Sequence, residues 1–273
     1  MTSTTTTLDW RPYEGDDDAT VVGDLRVSSP VSDPRLAADR ELLVHLPPGY
    51  EDSEKHYPVV YMHDGQNLFD EVASYSGEWE VDETMHALAD EGIEAIVVGI
   101  PNADDDRGQE YTPYAHEEYG GGDADDYLAV LVDRIKPAID ERFRTESDPE
   151  ATGIAGSSLG GLVSLYGFFE YPETFGFAGV FSPAFWWTHG RIFDYMTDQT
   201  RDTGRIYMDV GTDESDDEEL RESYVNDATR MRDVLREQGY DDSQLEFVLD
   251  EGAIHRESAW ARRFPDAMRF LLG

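Results

Sequence analysis

Residues 151–170 read ATGIAGSSLGGLVSLYGFFE, a short apolar strand, a tight glycine turn and a helix. The turn is Gly156-Ser157-Ser158-Leu159-Gly160, a G-x-S-x-G pattern centred on Ser158. A serine driven into so sharp a strand-to-helix turn sits in a strained backbone conformation with its hydroxyl exposed. The flanking glycines are required because the incoming strand and outgoing helix approach closely there. The helix N-terminus adds partial positive charge beside the hydroxyl. Leu162, Leu165, Tyr166 and Phe169 recur at helical spacing after the turn, which supports the helix. The plainer alternative is an ordinary turn with a capping serine.

A nucleophilic serine needs a base, and the base needs an orienting acid. Two histidines lie downstream, His189 and His255. His255 stands in EGAIHRESAW, after the strand-like QLEFVLD (244–250) and before a helical stretch, where an open α/β sheet places its chemistry. His189, in WWTHGR, precedes any acid loop and fits the chain order badly. The acid is expected after strand 205–210, in GTDESDDEE, where Asp213, Glu214, Asp216 and Asp217 are all candidates and spacing does not choose among them. An EF-hand calcium loop is not written there, since the D-x-D-x-D-G pattern is missing. Two backbone N–H groups should form an oxyanion hole. Leu159 follows the nucleophile, and Gln66 follows Gly65 in the His63-Asp64-Gly65-Gln66-Asn67 loop after the strand YPVVYM. That His-Asp pair has no companions at metal spacing, so neither metal nor cofactor is expected.

Outward from the turn, helix and strand patterns alternate. Strands are expected at 25–29 and 41–46, then 57–62, 94–100, 152–156, 177–181, 205–210 and 244–249. Helices are expected at 80–90, 123–143, 159–170, 218–238 and 257–272. Two opening strands followed by βαβ alternation imply a mostly parallel sheet with helices on both faces. Residues 1–18 read as a loose acidic arm and 19–273 as one α/β domain.

Composition bounds the rest. The 273 residues suffice for one full core, and the chain has no cysteine, hence no disulfide and no thiol chemistry. No apolar stretch reaches membrane-spanning length, and MTSTTTTLDW lacks a secretory pattern, so a soluble cytoplasmic protein is expected. Sixty acidic residues against 21 basic ones give a net charge of −39, with Lys55 and Lys136 the only lysines. Such charge repels nucleic acid and anionic membranes, and the partner expected is a small molecule. Scarce lysine with abundant aspartate is associated with a high-salt interior, where the charge is screened; an unusually acidic mesophilic protein is the alternative. The oligomeric state is not written in the sequence.

The motifs YMHDGQNLFD, GEWEVDE, GIPN, RGQEYTPY, GSSLGG, FSPAFWW, DVGTDE and EGAIHRESAW occur in that order over about residues 20–272. Together they resemble the esterase family of α/β-hydrolases that includes enterochelin esterases, S-formylglutathione hydrolases, feruloyl and acetylxylan esterases and mycolyltransferases. The enterochelin-esterase-like and carbohydrate-esterase-like members are the most similar. The resemblance implies an α/β-hydrolase fold and a serine carboxylic-ester hydrolase. It makes Ser158 the nucleophile, His255 the base, Glu214 the acid of the G-T-x-E loop, and Gln66 the oxyanion donor beside Leu159. Acyl transfer to an alcohol and non-catalytic binding on the same fold are the competing readings. Arg107, with Glu110 and Tyr111, is expected either to bind substrate or to form a buried ion pair holding its loop. Trp186 and Trp187 are expected to line an acyl pocket or to floor a loop, and Trp79 similarly. Arg107 and Arg191 are the only obvious basic groups on the pocket side, which disfavours a siderophore anion.

Overall fold

The computed structural model describes residues 8–201 and 203–273. Among the described residues nine strands form one sheet: β1 Trp10–Pro12, β2 Asp24–Ser28, β3 Leu43–Leu46, β4 Val59–His63, β5 Ile96–Ile100, β6 Thr152–Ser157, β7 Phe177–Phe181, β8 Arg205–Asp213 and β9 Leu245–Ile254. Their order is β1-β2-β3-β5-β4-β6-β7-β8-β9. β1, β2, β3 and β5 pair antiparallel, and every pair from β5 through β4 to β9 is parallel. The parallel centre is buried on both faces, which is why β4, β5 and β7 read as unbroken apolar runs rather than alternating ones.

The helices are α1 Val81–Ala89, α2 Arg107–Glu110, α3 Ala124–Val130, α4 Lys136–Arg142, α5 Leu159–Glu170, α6 Arg191–Thr197, α7 Glu218–Glu237 and α8 Glu257–Leu272. Alternate residues of β4 divide the core. Val59 and Tyr61 pack on the face covered by α3, α5 and α7, whereas Val60 and Met62 pack on the face covered by α1 and α8. Helix α5 is buried over all but its last residue, so its sequence carries almost no polar face.

The helix expected over 123–143 is interrupted by a π-turn at Leu131–Ile135. Pro137, one residue into α4, has no N–H to give and its ring would strike a carbonyl one turn back. The wider turn opens the ladder there and lets the helical path continue. Of the expected arm, residues 1–7 lie outside the described residues, while Trp10–Pro12 pair with Arg26–Ser28 as an edge strand. Helices α2 and α6 were not anticipated. β8 and β9 run three and five residues past the expected ends at 210 and 249, and this extension builds part of the site.

Candidate active site

β6 ends at Ser157 and α5 begins at Leu159, leaving Ser158 alone in the turn at φ 59°, ψ −121°. Its strained backbone is held from both sides. The Ser158 N–H donates to the Phe181 carbonyl at 2.9 Å, and the Ser158 carbonyl accepts from Ala184 N at 3.0 Å and Leu162 N at 3.1 Å. A Cβ on Gly156 would stand 2.9 Å from the Gly160 carbonyl carbon and 3.0 Å from His63 Cδ2, so only glycine fits.

The ends of β8 and β9 bring an acid and a histidine together. Their parallel ladder pairs Gly211 with Asp250 and then skips to Asp213 with Ile254, so β9 carries a bulge. Gly252, at φ 77°, supplies the backbone turn within it. Glu214 and His255 are the first residues past the two strands. His255 Nδ1 and Glu214 Oε2 lie 2.6 Å apart, with the carboxylate wholly buried and the imidazole 24% exposed. Glu214 Oε1 accepts from Ser182 Oγ at 2.6 Å and from the Gly211 N–H at 2.5 Å. The neighbouring candidates do other things. Asp213 pairs with Arg221 at 3.3 Å on the surface, Asp217 caps α7 through Leu220 N at 2.9 Å, and Asp216 is exposed. His189 stacks on His116 with ring centroids 4.3 Å apart and takes no part in the cavity that holds Ser158.

The loop after β4 forms the opposite wall. Asp64 adopts φ 56° and Gly65 follows. A Cβ on Gly65 would fall 2.6 Å from the Gly99 carbonyl carbon and from Ile100 N, so this turn presses directly onto β5. Arg107 grips Asp64 with two bonds of 2.7 and 2.8 Å, and Asn102 Nδ2 donates to the same carboxylate at 2.7 Å. These contacts hold the Asp64 carboxyl below its usual range against the opposing effect of burial. Gln66 Oε1 accepts from Asn102 N at 3.1 Å, which leaves the Gln66 backbone free of its own side chain. His63 lies beneath, bonded through Nδ1 to the Tyr127 hydroxyl at 2.7 Å; burial pushes its pKa down to about 3, so it is neutral. Glu110 pairs with Arg40 at 2.7 Å rather than with Arg107, so RGQEYTPY sends its two charges to two different anchors.

Ser158, His255, Gln66, Arg107, Tyr75 and Trp260 line a common cavity of about 590 Å³. Trp186 and Trp187 are not among its lining residues. Trp186 packs toward Tyr224, and Trp187 toward His116 and Tyr119. Trp79 is core, packed edge-on against Phe181 and Phe264 and tilted against Trp260. Arg191 sits over the Tyr114 ring at 4.1 Å, also outside the cavity. Sequence reasoning had passed over four residues found here. Trp260 lies five residues after His255 and forms the aromatic wall. Tyr224, from α7, lies tilted against the His255 ring with centroids 4.9 Å apart. Glu257 accepts from Asn67 Nδ2 at 3.2 Å and Ser76 Oγ at 2.5 Å, tying α8 to the oxyanion loop. Ser182 follows the expected strand 177–181 directly and touches Glu214 at 2.6 Å, a contact that no sequence period shows.

A parallel sheet with a strained serine at its elbow and a histidine-carboxylate pair at the same edge is the architecture of α/β-hydrolases. The chain matches the family described as Putative esterase over residues 34–271. It belongs to that family, and with it to the carboxylic-ester hydrolases. An uncharacterized protein, YbbA, of Bacillus subtilis is 26% identical over 245 residues, spanning 87% of this chain and 94% of that one. The siderophore triacetylfusarinine C esterase of Aspergillus fumigatus is 29% identical over 136 residues, which is 48% of this chain and 45% of that protein. In three dimensions the BES protein from Bacillus cereus superposes with a TM-score of 0.71 at 18% identity, over 96% of this chain and 99% of that one. Among the described residues no helix is long and apolar enough to cross a membrane.

Proposed function

We propose that the chain hydrolyses small carboxylic esters through Ser158, His255 and Glu214. His255 would take the Ser158 proton as Oγ bonds to the ester carbonyl carbon, with Glu214 holding the imidazole by its Nδ1–H and stabilising the imidazolium. The carbonyl oxygen, now an oxyanion, would be met by the backbone N–H groups of Leu159 and Gln66. Leu159 is the first residue of α5 and its N–H has no acceptor within the helix. His255 then returns the proton to the departing alcohol. A water enters, gives its proton to His255, and its hydroxide cleaves the acyl-serine bond to release the acid and restore Ser158 Oγ–H. The 2.6 Å His255–Glu214 contact, at the edge of the cavity that also holds strained Ser158, carries this reading.

The cavity also bears on the substrate. Two arginines line it: Arg107 is already committed to Asp64, and Arg256 is exposed beside His255, with Asp104 and Asp105 among the same lining residues. A multiply charged anion would find little to neutralise it, so neutral esters fit best. Ser158→Ala should fold as wild type and lose on the order of 10³-fold or more in turnover of a short-chain nitrophenyl ester. Wild-type turnover by that variant would end the proposal.

A further inference from the structure

Behind Glu214 stands a buried chain of groups that the hydrolytic cycle above does not use. Ser182 Oγ lies 2.6 Å from Glu214 Oε1. The same oxygen accepts from Trp260 Nε1 at 3.0 Å and from Arg263 Nη2 at 3.0 Å. A hydroxyl has one hydrogen and two lone pairs. With both lone pairs taken, its hydrogen has one place left to go, and the 2.6 Å separation is the length of an O–H donated to a carboxylate.

The hydroxyl is fixed from its backbone as well. Ser182 adopts φ 40°, a conformation costly for a residue with a Cβ. Asp209, in the middle of β8, offsets it: Asp209 Oδ1 accepts the Ser182 N–H at 3.0 Å, and Oδ2 pairs with Arg263 Nε at 3.0 Å. Ser182 and Asp209 are 0% exposed, Trp260 4% and Arg263 6%. Three elements, β7, β8 and α8, thus converge on one oxygen.

We propose that Ser182 is a positioning residue for the esterase reaction: its hydroxyl, aimed by Trp260, Arg263 and Asp209, locks the rotamer of Glu214 and shares the negative charge that Glu214 turns toward His255. This rests on the reading of Glu214 as the acid of the triad. It accounts for a strained, buried serine in a place where an alanine would fill nearly the same space. The charge sharing has a direction. With Ser182 donating, less of the carboxylate charge falls on the imidazole. Remove the hydroxyl, and the imidazolium is favoured more strongly, so the base is lost to protonation at higher pH. The ionisable groups that face this pair are Glu214 and Tyr224 beside His255, and Asp209, Tyr207 and Arg263 on the Ser182 side, with Asp250 3.4 Å from Arg263. None of them is altered in the Ser182 variants below.

Ser182→Ala removes the hydroxyl at a site with no exposure to solvent. The expected result is a fall in kcat of about tenfold or more with KM little changed, as for other outer partners of a catalytic group. The acid limb of the kcat/KM profile should move up by about half a pH unit or more. Ser182→Cys, a weaker donor of similar shape in a chain without cysteines, should lie between the two; it also decides the matter alone if the alanine variant does not fold. Wild-type kcat and acid limb would overturn the proposal, and so would a loss spread evenly over pH with the acid limb unmoved. Glu214→Gln, run in parallel, separates the two levels. If it is severe while the Ser182 variants are silent, only the present inference falls. If Glu214→Gln is itself silent, the assignment of the acid falls first.

Discussion

Glu214 and Asp213 are adjacent and equally charged, yet one is sealed beside His255 and the other is half in water beside Arg221. Glu214→Gln should lower turnover by about 10²- to 10⁴-fold, because an amide offers His255 the wrong tautomer. Asp213→Asn should stay within about twofold, since an exposed pair of this kind contributes little. A steady-state comparison on one ester checks both, and a damaging Asp213→Asn would move the acid by one residue. Ser158, His255 and the GTDE loop are visible in sequence because each sits in a turn whose geometry demands its neighbours. The choice among four carboxylates was not visible from spacing. Which of them stands beside His255 is set by the register between two strands, and no periodicity encodes that. The tryptophans show the reverse case: Trp186 and Trp187 follow the end of β7, where the sheet puts its chemistry, but their rings lean away toward Tyr224 and His116.

At the scale of elements, β8 and β9 decide the geometry. Gly211 sits where the bulge crosses: a Cβ there would fall 2.2 Å from the Ala253 carbonyl oxygen and 2.9 Å from Glu214 Oε1. Gly211→Ala should therefore push both strands and the carboxylate together, lowering Tm by several degrees and kcat by at least about tenfold. Thermal melts and turnover on the purified variant test this; an alanine tolerated in both would mean the bulge relaxes at little cost. Most elements were legible because their apolar periods are strong, as in 159–170 and 177–181, where the expected and observed bounds agree. The extensions of β8 and β9 were not, since residues such as Asp213 and Asp250 look like loop in sequence and are strand only through their partner's backbone. The π-turn before Pro137 was likewise hidden inside a helical period that continues on both sides.

For the whole molecule, the net charge of −39 opposes compaction, and screening it should stabilise the fold. Tm should rise steeply between dilute buffer and molar KCl, with most of the gain below roughly 1 M, where the screening length is about 3 Å. A flat Tm across that range would reject a high-salt adaptation. Lowering pH should act in the same direction. Burial pushes Asp82 up to about 8 and Glu78 up to about 7. These carboxyls hold protons in the fold that the unfolded chain releases, so their contribution grows as pH falls from 8 toward 5. His45, pushed down to about 4, and His63, down to about 3, oppose this only below the ordinary histidine range, where the unfolded chain takes up protons that they refuse. At low salt, stability should thus climb most clearly from pH 8 to about 6.5 and less steeply below it. Chemical denaturation across that range reads the slope, and a steady loss of stability on acidification from pH 8 would contradict the assignment of these buried groups.

The central claim is that Ser158 is the nucleophile, and an aryl fluorophosphonate tests it most directly. Its phosphorus would bond to Ser158 Oγ as fluoride leaves and His255 takes the proton. Intact mass followed by peptide mapping should show one phosphonyl group, placed on Ser158, with activity falling in proportion to its occupancy and no adduct on Ser158→Ala. A stoichiometric adduct on another serine, or a fully labelled Ser158 with hydrolysis undiminished, would contradict the account.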